Sequence, residues 1–210
     1  MEHSGAVSGD EVATFDVVIV GAGISGISAA YYLSTECPDR TFTILEQRSN
    51  IGGTWDLFRY PGVRSDSDMH TLGFRFAPWR HEKAIAKGEF ILDYLQETVD
   101  RFDLRRHISF GQQILSADWS SADACWTLTT QTEHGVSVVR CNVLFACAGY
   151  YSYKAGHTPD FAGIEDFGGD LVHPNTGRPI STSRTGRLSS LARGLQRSLS
   201  YLRSQKRLTE

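Results

Sequence analysis

Six consecutive residues near the N-terminus have the types and spacing of a nucleotide-binding turn. Residues 21–26 form the pattern G-x-G-x-x-G, and an acid, Glu46, stands twenty residues after Gly26. In such a turn Gly21 permits a tight bend, Gly23 lets the backbone approach a pyrophosphate, and Gly26 lets a helix pack closely on a sheet. The N–H groups at the helix start would bind the pyrophosphate, and Glu46 would accept hydrogen bonds from both ribose hydroxyls. The alternative interpretation is a glycine-rich turn that binds no ligand.

The elements around this turn are those that a dinucleotide site requires. Residues 15–20 predict a short buried strand that ends at a glycine. Residues 24–36 predict a helix that Cys37-Pro38 ends, and residues 41–46 predict a second strand. Together they form a β-α-β unit with short connections, which is the start of a parallel doubly wound sheet.

The chain beyond residue 51 predicts a loop region, a helix and further strands. Residues 52–78 are rich in Gly, Pro, Trp, Arg and Asp with little periodicity, which favours a long ligand-covering loop region. Residues 89–103 predict an amphipathic helix. Strand-like runs at 108–119, 126–130 and 136–140 predict an antiparallel meander, and residues 143–149 predict another buried strand. The predicted fold class is α/β, a Rossmann-like domain whose parallel β-α-β sheet has an inserted antiparallel β-meander.

Composition excludes several other classes of protein. With 40% hydrophobic and 11% aromatic residues, the chain is not wholly disordered. It has no apolar run of about eighteen residues that could span a membrane, and residues 1–10 lack the regions of a secretory signal. The four cysteines lack metal-ligand spacing, so we predict no metal site and reduced, buried thiols in a cytoplasmic protein. We expect no nucleic-acid partner, and the sequence leaves the oligomeric state open.

A longer motif resembles a known family. Gly52-Gly53-Thr54-Trp55 and residues 59–66 (RYPGVRSD) resemble the flavin-containing monooxygenases, most of all those of the Baeyer–Villiger type. The resemblance runs from Phe15 to His173, and residues 52–79 are its most specific part. It implies an FAD-binding enzyme that takes electrons from NADPH and transfers one oxygen atom of O₂ to a small-molecule substrate. The transfer would proceed through a flavin C4a-peroxide, as Baeyer–Villiger insertion or as N- or S-oxygenation.

The resemblance also implies roles for individual residues. The FAD pyrophosphate would be held by Gly21, Gly23, Ser25 and Gly26, and the adenosine ribose by Glu46. Ile114 would contact the adenine region through its backbone. The flavin side would be lined by Gly53, Thr54, Trp55, Asp56 and Leu57. Arg64, Ser65 and Asp66 would lie near the isoalloxazine and the nicotinamide, with Arg64 and Asp66 as candidate active-site residues and no catalytic residue assigned.

Simpler interpretations exist for several of these side chains. Trp55 and Trp79 would serve equally well in plain core packing, which residue type does not exclude. Arg64 and Asp66 would equally form an ordinary surface ion pair. Cys147, beside the predicted strand at 143–149, is interpreted as a small core residue and not as a redox thiol.

The resemblance ends near Pro174. The family pattern F-x-G-x-x-x-H-x-x-x-W-P begins at Phe167 and reaches His173, but Gly177 and Arg178 replace its Trp and Pro. Residues 175–210 contain eight of the 21 Lys and Arg residues and one of the 24 acids, which leaves 13 bases and 23 acids in residues 1–174. Restoring one base after the Pro174 codon permits a frame with Trp-Pro at those positions, followed by a G-x-G-x-x-A turn typical of an NADPH site. We therefore interpret residues 175–210 as a frameshift product, which the nucleotide sequence of the gene would test.

These observations predict a division into four segments. They are a flexible leader at 1–14, the FAD-binding Rossmann-like domain at 15–150, a linker at 151–174 toward a missing NADPH domain, and an aberrant, disordered, basic Ser/Arg-rich tail at 175–210. Such a chain would be incomplete relative to the family and would show little or no turnover.

Two alternatives to the enzyme stay open. One is a non-catalytic FAD-binding fragment or pseudogene product. The other is an FAD domain whose tail forms a basic amphipathic helix for a membrane surface or an acidic partner, with a stripe of Leu188, Leu191, Leu195, Leu199 and Leu202.

Overall fold

A computed structural model of the chain describes residues 12–60, 62–151, 153, 162–166 and 168. The predicted tail at 175–210, most of the predicted linker and residues 1–11 of the predicted leader lie outside the described residues, and so do the frameshift interpretation and the leucine stripe. The chain divides into two compact units. We name them the sheet unit (Met1–Ile51 and Val99–Ala148) and the loop unit (Gly52–Thr98 and Gly149–Glu210), and consider only their described residues.

The sheet unit begins with the predicted β-α-β arrangement. Strand β1 is Ala13–Val20, helix α1 is Ile24–Glu36, and strand β2 is Phe42–Leu45. Strands β1 and β2 pair in parallel, with Val17 opposite Phe42 and Val20 opposite Leu45. All four side chains of β2 are buried, as a strand covered on both faces requires. The sequence prediction for this segment is confirmed, with the same limits for the helix.

Four further strands complete one six-stranded sheet. They are β3 (Ile108–Ser109), β4 (Gln113–Ser120), β5 (Cys125–Thr132) and β6 (Gly135–Ala146). The order is β3-β2-β1-β6-β5-β4, with parallel pairing from β3 to β6 and antiparallel pairing from β6 to β4. The α/β class and the meander are therefore confirmed.

Two predicted strand limits are wrong. The single run predicted at 108–119 is two strands, β3 and β4, at opposite ends of the strand order. The strands predicted at 136–140 and 143–149 are one strand, β6, which pairs with β5 through its first half and with β1 along most of its length. The meander therefore belongs to the same hydrogen-bonded sheet as the parallel strands. Local alternation did not reveal this, because pairing partners are set by contacts far apart in sequence.

The core of the sheet unit joins its parallel and antiparallel parts. One buried cluster contains Val18 and Leu45 from the parallel strands together with Leu128, Val139 and Cys141 from the meander. Partly buried side chains pack against the cluster: Phe15, Val20, Ile114, Trp126 and Leu144.

The loop unit contains two one-turn helices and most of a longer one. Helix α2 is Thr54–Leu57, helix α3 is Met69–Leu72, and helix α4 is Gly88–Arg101, which begins in this unit and ends in residues of the sheet unit. The helix predicted at 89–103 is confirmed, and two short 3-10 helices occupy Arg105–His107 and Ile164–Asp166.

Residues 52–78 are more packed than the prediction of a covering loop allowed. A buried cluster of Met69, Trp79, Ala86 and Ile91 has Trp55, Leu72, Phe90 and Tyr94 packed against it. The segment lacks periodicity because its turns are short, and yet it buries a core with the start of α4. The aromatic and apolar residues of this segment follow no helical or strand repeat, so the sequence pattern did not predict that they form a buried core.

Neither a membrane span nor a metal centre is found in the described part of the chain. Within it, no helix is long and apolar enough to cross a bilayer. Among the same residues, no group of three or more His, Cys, Asp and Glu side chains is arranged to hold a metal ion.

Candidate nucleotide-binding site

The turn after β1 has a conformation that requires glycine at its first position. Gly21 has a φ of 102°, a backbone conformation that residues other than glycine rarely adopt. Its N–H group donates to the Leu45 carbonyl at 2.8 Å. A Cβ atom at this position would lie 2.7 Å from the carbonyl oxygen of Cys147, closer than real contacts allow. The tight bend predicted for Gly21 is thus present, held between the ends of two neighbouring strands.

The third glycine of the pattern lets α1 lie directly on the turn. A Cβ atom at Gly26 would be 1.9 Å from the Gly21 carbonyl oxygen and 3.3 Å from Cγ2 of Ile19. No side chain larger than hydrogen fits between the first turn of the helix and the bend. This is the close helix–sheet packing that the sequence pattern predicts.

The start of α1 presents backbone donors without a competing acid. Gly23 is the N-cap, with φ −82° and ψ −171°, no side chain caps the helix, and the first turn contains no acidic residue. The Ile27 N–H group donates to the Gly23 carbonyl at 3.0 Å. The N–H groups of residues 24–26 therefore precede the first intrahelical donor, and the positive end of the helix dipole lies beside them. Such a terminus attracts a phosphate.

The carboxylate of Glu46 lies against the same turn. Glu46 is 3% exposed, directly after β2. Its Oε2 accepts the Ala22 N–H at 2.7 Å and its Oε1 accepts the Arg48 N–H at 2.9 Å. A carboxylate oxygen accepts two hydrogen bonds, so each retains one lone pair for a ribose hydroxyl. The structure brings Glu46 to the glycine turn as expected and adds two backbone partners that the sequence did not indicate.

The backbone of Glu46 is bonded on both sides as well. Its N–H group donates to the Ser109 carbonyl at 2.9 Å, and its carbonyl accepts the Gln112 N–H at 2.9 Å. Gln112 immediately precedes β4, so the start of that strand lies beside the end of β2. Ile114, half-buried on β4 opposite Thr130, follows two residues later. Its predicted backbone contact with adenine stays a prediction.

The cysteines are free, and not all of them are buried. Cys147 donates its N–H to the Val20 carbonyl at 2.9 Å. Burial raises the pKa of the Cys147 and Cys141 thiols, which disfavours the reactive thiolate and agrees with an interpretation as core residues. The prediction of buried thiols is confirmed for Cys141 and wrong for Cys37, which is exposed just after α1; Cys125 and Cys147 are half-buried. Cys37 caps the C-terminal end of α1 at the surface, so its position in the fold decides its exposure and its residue type does not.

In the loop unit, the predicted flavin-side residues form α2 and its N-cap. Gly52 and Gly53 have φ values of 109° and 51°, and Gly53 is the N-cap of a helix made of Thr54, Trp55, Asp56 and Leu57. Asp56 is buried and forms an ion pair with the Arg59 guanidinium, whose Nε also donates to the Asp56 carbonyl at 3.0 Å. This pairing closes the helical turn. Arg59 therefore has a structural role as the partner of Asp56. The sequence motif includes Arg59, but its residue type alone did not predict this role.

Arg64, Ser65 and Asp66 have different surroundings although they are consecutive. Ser65 is buried, its N–H donates to the Ala86 carbonyl at 2.8 Å, and its Oγ accepts the Ala86 N–H at 3.0 Å. Arg64 and Asp66 are exposed. No ion pair links those two side chains in the described part of the chain, so the surface-pair alternative is not observed there. The Ser65 side chain bonds to the backbone of Ala86, whereas the side chains of Arg64 and Asp66 are exposed to solvent.

Asp66 has an aromatic neighbour of altered acidity. Burial, the adjacent Tyr150 hydroxyl and the negative charge of Asp66 together raise the pKa of Tyr151 to about 12. The rings of Tyr151 and Phe58 pack edge to face with centroids 5.2 Å apart. Tyr151 therefore stays protonated over the physiological pH range, and its hydroxyl accepts a hydrogen bond from the Tyr150 hydroxyl.

The two tryptophans fit the core-packing alternative. Trp79 is a member of the buried cluster, and its Nε1 donates to the Lys83 carbonyl at 3.0 Å. Trp55 is partly buried against the same cluster. Both rings therefore contribute to the packing of the loop unit.

Two family profiles match the chain. The profile described as flavin-binding monooxygenase-like matches residues 76–186. The profile described as an NAD(P)-binding Rossmann-like domain matches residues 19–84. The first match extends past Pro174, so the profile match ends later in the chain than the predicted resemblance.

Curated relatives share most of this chain but only part of their own length. The chain is 55% identical over 159 residues to the FAD-containing monooxygenase EthA of Mycobacterium tuberculosis, which covers 76% of this chain and 32% of that protein. It is 46% identical over 160 residues to the probable FAD-binding monooxygenase AlmA of Acinetobacter baylyi, with the same 76% and 32% coverage. The chain thus spans about a third of the length of these relatives.

Solved monooxygenase structures share the fold. An open structure of cyclohexanone monooxygenase matches with a TM-score of 0.66 and 34% identity, over 78% of this chain and 32% of that one. A structure of oxidized steroid monooxygenase bound to NADP matches with a TM-score of 0.63 and 35% identity, over 77% of this chain and 31% of that one. Because the flavin-binding monooxygenase-like profile matches more than half of its residues, the chain belongs to that family.

Proposed function

We propose that the sheet unit binds the ADP half of FAD and that the chain is the FAD-binding part of a flavin-dependent monooxygenase. The observation that supports this most directly is the glycine turn. At Gly21 a Cβ atom would collide with the Cys147 carbonyl, and at Gly26 it would collide with the turn itself. The uncapped start of α1 and the buried Glu46 carboxylate lie beside that turn.

The pyrophosphate and the ribose of the ADP group each have a chemically suitable partner among these residues. The N–H groups of residues 24–26 would bind the pyrophosphate, whose charge the helix dipole stabilises. The remaining lone pairs of Glu46 would accept the ribose hydroxyls. A 2′-phosphate would meet the Glu46 carboxylate and be repelled, so the site favours FAD or NAD over NADP. Family membership then favours FAD.

For the whole protein we infer an NADPH-dependent oxygenation with O₂ of a small-molecule substrate. Bound FAD would supply the redox chemistry, and the protein would position it and exclude water. The likeness to cyclohexanone and steroid monooxygenases favours Baeyer–Villiger insertion over N- or S-oxygenation. Arg64 and Asp66 are the candidate active-site residues, because both are accessible and neither is paired with the other. We propose that Ser65 acts by fixing their backbone through Ala86.

Nucleotide competition tests the proposal on the full chain. FAD binding would be followed by the change in flavin fluorescence, with ADP, FMN, NADH and 2′-phospho-ADP-ribose as competitors. We expect ADP to displace FAD, because it contains the half that the turn recognises. FMN, which lacks that half, and the 2′-phosphorylated nucleotide should not compete. Displacement by FMN alone, or by NADH at lower concentration than by ADP, would contradict the assignment.

A second candidate function is FAD binding without turnover. The glycine turn and the Glu46 carboxylate support this function without any further site. NADPH-dependent oxygen uptake by the FAD-loaded chain separates the two functions. Uptake no faster than with free FAD supports the non-catalytic function, whereas uptake that depends on the protein supports the enzyme.

A further inference from the structure

We propose that Glu46 is a positioning residue that holds the glycine turn in its binding conformation before any nucleotide arrives. This inference rests on the proposed nucleotide function of the sheet unit. It goes beyond the ribose contact, because it assigns the carboxylate a task within the protein itself.

Two consecutive hydrogen bonds fasten the turn to the end of β2. The Gly21 N–H donates to the Leu45 carbonyl at 2.8 Å, and the Ala22 N–H donates to Glu46 Oε2 at 2.7 Å. The first bond continues the ladder between the parallel strands. The second comes from the next residue and ends on a side chain, while the Glu46 carbonyl accepts the Gln112 N–H. Among the described residues, Glu46 Oε2 is the acceptor that the structure shows for the Ala22 N–H.

The contact has the properties of a strong hydrogen bond. Ala22 is fully buried and Glu46 is 3% exposed, so water does not compete for either group. A bond from an N–H group to a carboxylate is shorter and stronger than one between neutral groups. The Arg48 N–H on Oε1 fixes the second oxygen, which leaves the carboxylate little freedom to rotate. Loss of this acceptor would leave a buried N–H group unpaired.

A pair of ligands separates this role from ribose binding. ADP has both ribose hydroxyls, whereas 2′,3′-dideoxy-ADP has none. If Glu46 acts only on the ribose, Glu46→Gln will weaken ADP binding and leave dideoxy-ADP binding unchanged. If Glu46 holds the turn, Glu46→Gln will weaken both, because an amide offers only one acceptor for the two N–H groups. We expect roughly tenfold weaker binding of dideoxy-ADP, as the loss of a hydrogen bond to a charged group predicts.

A matched control is available at the other end of the same two strands. The Asp16 carboxylate accepts the Thr41 N–H at 2.8 Å, so it also ties β1 to β2 through a backbone donor. Asp16→Asn should lower stability without changing the affinity for either nucleotide. An equal loss of dideoxy-ADP affinity in Asp16→Asn and Glu46→Gln would show a general loss of stability and would overturn the proposal.

Amide hydrogen exchange tests the proposal without a ligand. In the ligand-free wild-type chain, the Ala22 amide should exchange slowly, and in Glu46→Gln its exchange should become at least tenfold faster while amides in the middle of β1 stay protected. Rapid exchange of Ala22 in the wild type would overturn the proposal even if the variant does not fold. If the wild type binds no ADP, the proposed function fails, and the exchange rates still decide whether Glu46 holds the turn.

Discussion

The sheet unit and the loop unit hold their candidate binding residues by different means. In the sheet unit, the turn at residues 21–26 and the carboxylate of Glu46 are fixed by backbone hydrogen bonds from neighbouring strand ends. In the loop unit, the candidates lie on or beside one-turn helices, and side chains stabilise these segments by hydrogen bonds to the backbone. Arg59 bonds to Asp56, Ser65 to Ala86, and Tyr94 to Phe74 and Ala77. A single helical turn is not stable alone. The candidate residues of the loop unit therefore depend on side-chain contacts, whereas those of the sheet unit depend mainly on contacts to backbone groups.

This difference predicts where each unit tolerates change. In the sheet unit, damage should follow from any atom that intrudes on the backbone of the turn, even when no side-chain contact is lost. In the loop unit, damage should follow from removal of a buried side chain or of one of its hydrogen bonds.

The largest effect is expected from Gly26→Val. Its Cβ atom would overlap the Gly21 carbonyl oxygen, 1.9 Å away, so the helix and the turn would have to separate. We expect a loss of about 3 kcal/mol or more in the free energy of unfolding, together with loss of FAD binding. Urea denaturation and flavin fluorescence measure the two effects.

Gly111→Ala is the matched control for that variant. Gly111 has a φ of 68° but nothing within 4 Å of an added Cβ atom, so only backbone strain of about 1 kcal/mol is expected. Equal losses of stability in the two glycine variants would show that the collision with the turn is not what makes Gly26 necessary.

Truncating one buried side chain in each unit gives the next largest effect. Leu128 in the sheet unit and Ile91 in the loop unit are both fully buried. Substitution of either by Ala should cost about 2–5 kcal/mol through lost burial and the cavity that remains. Hydrogen exchange followed by mass spectrometry should show faster exchange in the unit that contains the variant. An Ile91→Ala chain with unchanged exchange in residues 52–98 would mean that packing does not maintain the loop unit.

A smaller effect is expected from Tyr94→Phe. The Tyr94 hydroxyl accepts the Phe74 N–H at 2.6 Å and donates to the Ala77 carbonyl at 2.7 Å. Its removal leaves two backbone groups unpaired and should cost about 1–3 kcal/mol, measured by thermal or urea denaturation. Tyr32→Phe, at an exposed position on α1, should change stability by less than about 0.5 kcal/mol. A neutral Tyr94→Phe would show that the hydroxyl does not organise the loop unit.

The smallest effect is a pH dependence shared by both units. Hydrogen bonds from the Thr41 N–H and hydroxyl hold the pKa of Asp16 below its ordinary value of 3.8. In the loop unit, the hydroxyl and N–H of Thr71 do the same for Asp68. Each stabilisation is fully present above the unfolded pKa and is lost as the pH falls through the folded pKa.

NMR titration of the two carboxyl groups measures this dependence directly. Both groups are surface carboxylates, so the loss of stability below pH 4 should be modest and should shrink in Asp16→Asn and Asp68→Asn. A titration of either group at its ordinary pKa would remove that residue from the set of stabilising contacts.

The sequence by itself determined the β-α-β segment and its turn. Residues 24–36 and the strands around them have strong local signals, because a buried parallel strand is a short apolar run and a nucleotide turn needs glycine where φ is positive. The spacing from Gly26 to Glu46 placed the acid correctly, because a helix and a strand of these lengths bring residue 46 back beside the turn.

Only the tertiary structure decided the rest. It separated β3 from β4, merged two predicted strands into β6, and exposed Cys37. It also gave Glu46 its partners on Ala22 and Arg48, and Ser65 its partner on Ala86. Those partners are backbone groups, which every residue possesses and which no residue type identifies. Their proximity depends on how distant segments pack, and that is information a local pattern does not contain.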